Sequence, residues 1–191
     1  MWCARGVPRH VFVMDVLDSV LDALLRAIVV RGELAPSLRT LAADAGMSPA
    51  GIVHHFGTRS HALQLAAARW ARDRADGFWR CRNPSELPML LPRLSSEVDD
   101  AAIDFSLTAM GRGHGGIALS MARLRAARRE HLAVVVAPDQ DETDIDLLLA
   151  AIEGLRFATA LPEQPLDCQA ARDALARLVD LLFGAGLTSA S

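Results

Sequence analysis

The residues best suited to binding chemistry stand between Ser37 and Arg59, where polar and basic side chains flank the starts of short helices. Arg39 and Arg59 each offer a planar fork of donors that fits phosphate oxygens and the edges of guanine bases. His54 adds an imidazole on the side that the apolar pattern turns outward. This combination predicts noncovalent recognition of an anionic partner.

Metal and catalytic chemistry find little support in the same stretch. His54, His55 and His61 lie close together, but adjacent residues on a helix diverge by about 100°. No Cys or carboxylate follows them at ligand spacing, so we predict no metal site. The sequence has no GxSxG, phosphate-binding loop, HExxH or convincing acid–base pair. We therefore predict neither an enzyme nor a cofactor.

The three cysteines, Cys3, Cys81 and Cys168, are scattered and form no CxxC pair. They are interpreted as small hydrophobic residues in a reducing, cytoplasmic compartment. Redox sensing through Cys81 or Cys168 is the alternative.

One apolar stretch, Val11–Val30, is long enough to suggest a membrane span. Asp15, Asp18, Asp22 and Arg26 recur in it every three or four residues, which places a polar stripe on one face of a helix. The stretch is therefore predicted to be an amphipathic helix, without membrane contact. No signal peptide is predicted.

The chain is expected to be all-α, because 51% of its residues are hydrophobic and no useful period-two pattern appears. Predicted helices cover residues 13–31, 38–45, 49–56, 59–77, 97–110, 117–136, 143–161 and 166–183.

Capping residues mark the second to fourth of these helices. Ser37 and Thr58 can cap the second and fourth, and Ser48 with Pro49 gives the clearest helix start in the sequence. Gly46 suits a tight turn that needs a positive φ. Two short helices joined by such a turn, behind a supporting helix, predict a helix-turn-helix.

The order of these features resembles the N-terminal signature of TetR-family regulators over residues 20–63. The matching text is VLDALLRAIVVRG followed by SLRTLAADAGMSPAGIVHHFGTRSHAL. Near the C-terminus, LLLAAIEGLRFATA and ARDALARLVDLLFG loosely resemble the last two helices of that family. The resemblance implies a flexible arm (1–12), a three-helix DNA-binding domain (13–58) and a helical ligand-binding and dimerisation domain (59–191).

The resemblance also implies residue roles. Arg39 stands where the family often contacts bases or phosphates, and Arg59 where a basic residue grips a phosphate. Val53 and Gly51 replace a usual Tyr and a frequent Thr, so two habitual phosphate-binding hydroxyls are absent. The full predicted DNA-binding set is Ser37, Arg39, Ser48, Pro49, Ala50, Gly51, Val53, His54 and Arg59. Arg5 and Arg9 of the arm are further candidates.

The charge distribution agrees with a DNA-binding front. Residues 1–74 hold nine Arg and six acidic residues, whereas residues 75–191 hold eleven and seventeen, within a net charge of −3. A mildly basic head on an acidic body fits this arrangement. All basic residues are Arg, and a biased genome explains that equally well.

The body is expected to hold a mostly apolar ligand pocket between the helix after Arg59 and those at 97–110 and 117–136. Its predicted lining is Trp70, Phe78, Trp79, Phe105, Met110 and Met121. A solid core is the competing interpretation for these residues. The predicted two-fold dimer interface consists of Leu147, Leu148, Ala151, Leu155, Leu175, Leu178, Val179 and Leu182.

The leading functional hypothesis is a homodimeric repressor, released from a palindromic operator by a small, mostly apolar effector. A helical enzyme or small-molecule carrier is one alternative. The other is a regulator-like fold that has lost DNA binding. The absence of hydroxyl side chains at Val53 and Gly51 is the reason for considering it.

Overall fold

The structure, a computed structural model, describes residues 18–28, 37–78, 80–136 and 141–187, with side chains to Phe183. Over these residues it is helical without a strand, which confirms the predicted all-α class. The helices are 18–28 (α1), Leu38–Asp44 (α2), Pro49–Phe56 (α3), Arg59–Phe78 (α4), Ser95–Met110 (α5), Gly115–Val136 (α6), Glu142–Thr159 (α7) and Cys168–Leu187 (α8), with a 3-10 helix at Pro84–Leu90.

The chain divides into two compact units, Met1–Ala68 and Arg69–Ser191. The division falls inside α4, so this helix contributes residues to both units. The predicted domains divide earlier, between 58 and 59. The predicted arm (1–12) and both ends of the first predicted helix lie outside the described residues.

Helix starts in the first unit follow the predicted capping residues. The side-chain oxygens of Ser37 and Ser48 accept hydrogen bonds from the backbone N–H groups of Thr40 and Gly51, both at 3.1 Å. Thr58 Oγ1 accepts from His61 N at 3.1 Å. These bonds satisfy amides that a helix start otherwise leaves unpaired.

The second unit is built around one buried apolar cluster. Leu132, Leu148, Leu149, Ile152 and Leu175 are fully enclosed in it. The 3-10 helix adds Leu87, Leu90 and the following Leu91. Pro84 starts that short helix and Pro88 lies within it, which explains why this proline-rich stretch does not continue as an α-helix. None of the described helices is long and apolar enough to cross a membrane.

Candidate DNA-reading surface and effector cavity

The first unit contains the predicted helix-turn-helix. Gly46 has a φ of +65°, and Met47 N donates to Ala42 O at 2.8 Å across the turn between α2 and α3. A positive φ strains residues that carry a Cβ, so glycine suits this position. Leu41, Ile52 and Phe56 are buried, with exposures of 0%, 0% and 2%. Their burial holds the two short helices together.

One side of α3 is left to solvent by this packing. Pro49, Ala50, Val53 and His54 are exposed, and Val53 retains 49% of its side-chain accessibility. Arg39 on α2 and Arg59 at the start of α4 are exposed too. The imidazole of His55 is also exposed, with its ring centroid 5.3 Å from that of His54 in an edge contact. Ile52 and Phe56 fill the inward side of the helix instead.

Gly51 is partly buried, and its Cα lies close to the side chains of Met47 and Ser48. A Cβ at this position would lie 3.3 Å from Met47 Cε and 3.3 Å from Ser48 Oγ. Both are ends of side chains that can shift by a few tenths of an ångström. A larger residue here would therefore press on the turn and on the Ser48 cap.

The second unit contains a cavity of about 560 Å³ between α5, α6 and α7. Its apolar wall includes Phe105 and Phe157, whose rings stack with centroids 4.2 Å apart and planes 28° apart. The other apolar lining residues are Ala101, Ala118, Met121, Ala122 and Leu124. Aromatic rings and small residues of this kind suit a flat organic ligand.

Charged side chains form another part of the cavity lining, and Asp104 is at their centre. Its Oδ1 accepts from Trp70 Nε1 at 2.6 Å. Its Oδ2 accepts from Arg128 Nη2 at 2.7 Å and from Arg156 Nη2 at 3.3 Å. Asp104 as a residue is 9% exposed and Arg128 is 5% exposed. Such a pair is retained only when its hydrogen bonds compensate the lost hydration.

Further ion pairs extend this group. Arg125 pairs with Glu153 and Arg74 pairs with Asp100, each at 2.6 Å. Burial lowers the pKa of Arg156 and raises the pKa values of Glu153 and Asp100. We name Asp100, Asp104 and Glu153 with Arg74, Arg125, Arg128 and Arg156 the charged cluster.

The position of the cavity differs from the prediction. The sequence placed it against α4, but α7 supplies that wall, with Glu153, Arg156 and Phe157. Phe105 and Met121 line the cavity, whereas Trp70, Phe78 and Met110 do not. Trp70 reaches it only through Asp104. Phe78 is buried in the core and lines a smaller cavity of about 290 Å³. Trp79 lies outside the described residues.

Sequence reasoning also missed the two arginines that pair with Asp104 in the cavity lining. Arg128 and Arg156 are 24 and 52 residues from Asp104 in the chain. A helical repeat relates residues only a few positions apart, so no local pattern signals this group.

The predicted dimer residues fall into two sets. Leu148, Leu175 and Val179 are buried within the protomer, at 0%, 0% and 5% exposure. They belong to its own core, so assigning them to a dimer interface needs correction. Leu147 is exposed, and Ala151, Leu155, Leu178 and Leu182 are partly buried. Leu181, which we did not single out, is 80% exposed on α8.

No group of three or more His, Cys, Asp or Glu side chains in the described part of the chain is arranged to hold a metal ion.

The architecture is that of solved transcriptional regulators with a TetR-type fold. A transcriptional regulator from Rhodococcus sp. Rha1 has 20% identity and a TM-score of 0.76, over 88% of this chain and 96% of its own. A TetR transcription regulator from Haloarcula marismortui has 15% identity and a TM-score of 0.72, over 88% and 98%. The multidrug binding protein EbrR, complexed with proflavin, has 22% identity and a TM-score of 0.59, over 85% and 99%. The sequence matches no protein-family model and no curated protein.

Proposed function

We propose that the chain is a dimeric DNA-binding transcriptional regulator whose affinity for DNA changes when a small molecule binds in the cavity. The observation that carries this proposal is the exposed side of α3, supported from behind by Leu41, Ile52 and Phe56. A short, rigidly held helix with one free side is the element that enters a major groove. The likeness of the whole fold to transcriptional regulators supports the same function.

In this proposal Arg39 and Arg59 bind phosphates or base edges, and Pro49, Ala50 and His54 meet the bases. Ser37 and Ser48 act mainly by fixing the helix starts, since their oxygens already accept backbone hydrogen bonds. Val53 offers an apolar contact, such as one with a thymine methyl group. Affinity therefore depends on few charged contacts, and we expect a modest salt dependence, because the salt slope scales with the number of phosphate contacts.

The cavity is the proposed effector site. EbrR shows that a protein of similar fold takes an organic molecule. Trp70 connects the cavity to α4, because it belongs to that helix, which begins at Arg59. Ligand binding in the cavity can therefore act on α4. Its indole N–H is held by Asp104, whose other oxygen binds two cavity residues. A ligand that shifts Asp104 would therefore change how α4 is held.

The dimer is proposed to form through α7 and α8. Leu147, Ala151 and Leu155 follow one another at helical spacing on α7, and Ala150 and the exposed Gly154 allow a close approach. Leu181 supplies an exposed apolar side chain on α8. Two copies would present two α3 helices to successive major grooves about 34–36 Å apart.

The test is fluorescence anisotropy with labelled duplex DNA at several salt concentrations, comparing the wild type with Arg39→Ala. Arg123→Ala is the matched control, because Arg123 is an exposed arginine on α6. Loss of a phosphate contact should weaken binding about equally on all sequences and reduce the salt slope by about one unit. Loss of a base contact should instead relax specificity at one position. A wild type without affinity for DNA even at low salt would refute the proposal.

A further inference from the structure

The charged cluster beside the cavity has more positive than negative groups. It contains four guanidiniums and three carboxylates, joined by the pairs of Arg74 with Asp100, Arg125 with Glu153, and both Arg128 and Arg156 with Asp104. The first two pairs balance one to one. At Asp104, two guanidiniums share one carboxylate, and one positive charge is left uncompensated.

This excess charge lies where water cannot easily compensate it. Side-chain exposure is 6% for Arg128 and 14% for Arg156. Arg128 Nε is buried and has no hydrogen-bond partner among the described residues. A buried guanidinium with incomplete pairing is costly, so an anion placed beside it is bound strongly. Arg128 and Arg156 both line the cavity.

The remaining wall is apolar. Phe105, Phe157 and Met121 contribute large hydrophobic surfaces to the same cavity. A small inorganic anion would leave that surface in contact with water, whereas an organic anion would cover it.

We propose that the cavity selects an organic monoanion, an aromatic carboxylate, with its ring against the Phe105 and Phe157 wall and its carboxylate paired with Arg128 and Arg156. The inference rests on the proposed function only in taking the cavity as the effector site. It refines the expectation of a mostly apolar ligand by adding a carboxylate, because the sequence pattern did not reveal the two guanidiniums.

A cationic aromatic ligand is disfavoured by the same geometry. Asp104 already accepts from three donors, and Glu153 is paired with Arg125. Both carboxylates are already paired with guanidiniums, and the excess guanidinium charge repels a ligand ammonium group.

The test uses three probes of nearly the same shape: naphthalene-2-carboxylate, naphthalene-2-carboxamide and 2-naphthylmethylammonium. Isothermal titration calorimetry on the full chain at pH 7.5 measures each dissociation constant. We expect the carboxylate to bind at least about tenfold more tightly than the amide, which corresponds to about 1.4 kcal/mol. The ammonium probe should bind most weakly. In Arg128→Gln the carboxylate should lose most of its advantage, while Arg123→Gln should keep it.

An amide or ammonium probe that binds as tightly as the carboxylate would overturn the inference, and so would a carboxylate that does not bind. The three wild-type constants decide this even if the Arg128→Gln chain does not fold. DNA affinity measured on the same preparation separates the two proposals. DNA binding without a preference for the carboxylate refutes only the ligand class. A carboxylate preference without DNA binding refutes only the regulatory function.

Discussion

Replacing Asp104 with Asn should reveal how much the charged cluster contributes to stability. The substitution keeps the shape of the side chain but removes the negative charge that Arg128 and Arg156 share at 2.7 and 3.3 Å. It also presents an amide N–H₂ to groups that are themselves donors. Removing one partner of a buried ion pair costs about 3–5 kcal/mol, because the other charge stays buried and unpaired.

That cost would be large for this chain. At about 2–4 °C per kcal/mol for a protein of this size, the melting temperature should fall by roughly 6–20 °C. Urea unfolding followed by circular dichroism measures the free energy directly. Asp99→Asn is the matched control, since Asp99 is an exposed carboxylate on the same helix. It should stay within about 0.5 kcal/mol of the wild type.

A double substitution tests the cause. Arg128→Met removes one of the two guanidiniums, so Asp104→Asn combined with it should cost less than the sum of the single changes. Some loss will remain, because Arg128 also lies over the Phe78 ring at 5.0 Å. If the free energy of unfolding of Asp104→Asn lies within about 1 kcal/mol of the wild-type value, Asp104 and its two arginines are not a strongly coupled buried group.

Three further changes have defined outcomes. Val53→Tyr should strengthen DNA binding about 2- to 10-fold in anisotropy titrations, because it adds a hydroxyl donor to the exposed side of α3. Unchanged or weaker binding would contradict the proposal that this side of α3 contacts DNA. Leu181→Asp should raise the dimer dissociation constant at least about tenfold in analytical ultracentrifugation. Leu119 on α6 is also an exposed leucine, and Leu119→Asp should leave the constant unchanged. A dimer unaffected by Leu181→Asp would exclude the proposed interface. Burial lowers the pKa of His131 below its usual 6.5, so its contribution to stability is present above pH 6.5 and is lost as the pH falls from 6.5 through the lower pKa of the folded state. His131→Leu should therefore reduce the decline in the free energy of unfolding, measured with urea, below pH 6.5. An unchanged decline would show that another group causes it. The partly exposed His114, changed to Leu, serves as control.

The local features of the fold were predictable because they depend on neighbours in sequence. The side chains of Ser37 and Ser48 accept hydrogen bonds from amides three residues ahead, and Gly46 takes its positive φ within one turn. Each of these is a short-range steric or hydrogen-bonding requirement. The helix-turn-helix could therefore be predicted with bounds close to those observed.

The cavity and the dimer face could not be predicted equally well, because they depend on which helices meet. An apolar residue on an amphipathic helix can face its own core or a second chain. Leu148 and Leu175 face the core, while Leu147 and Leu181 face outward. Only the packing of α7 and α8 in the second unit separates these cases. The same holds for Arg128 and Arg156, which no pattern in the sequence links to Asp104.

The most direct measurement of the central claim is selection of bound sequences from a randomised double-stranded DNA library by the purified full chain. A dimer with two exposed α3 helices should enrich a two-fold symmetric site whose half-sites are centred about 10 base pairs apart, or a multiple of one helical turn. Arg39→Ala should select the same site with lower yield if Arg39 binds a phosphate, and a site degenerate at one position in each half if it reads a base. A wild-type pool that stays as random as the input would contradict the assignment of this chain as a DNA-binding regulator.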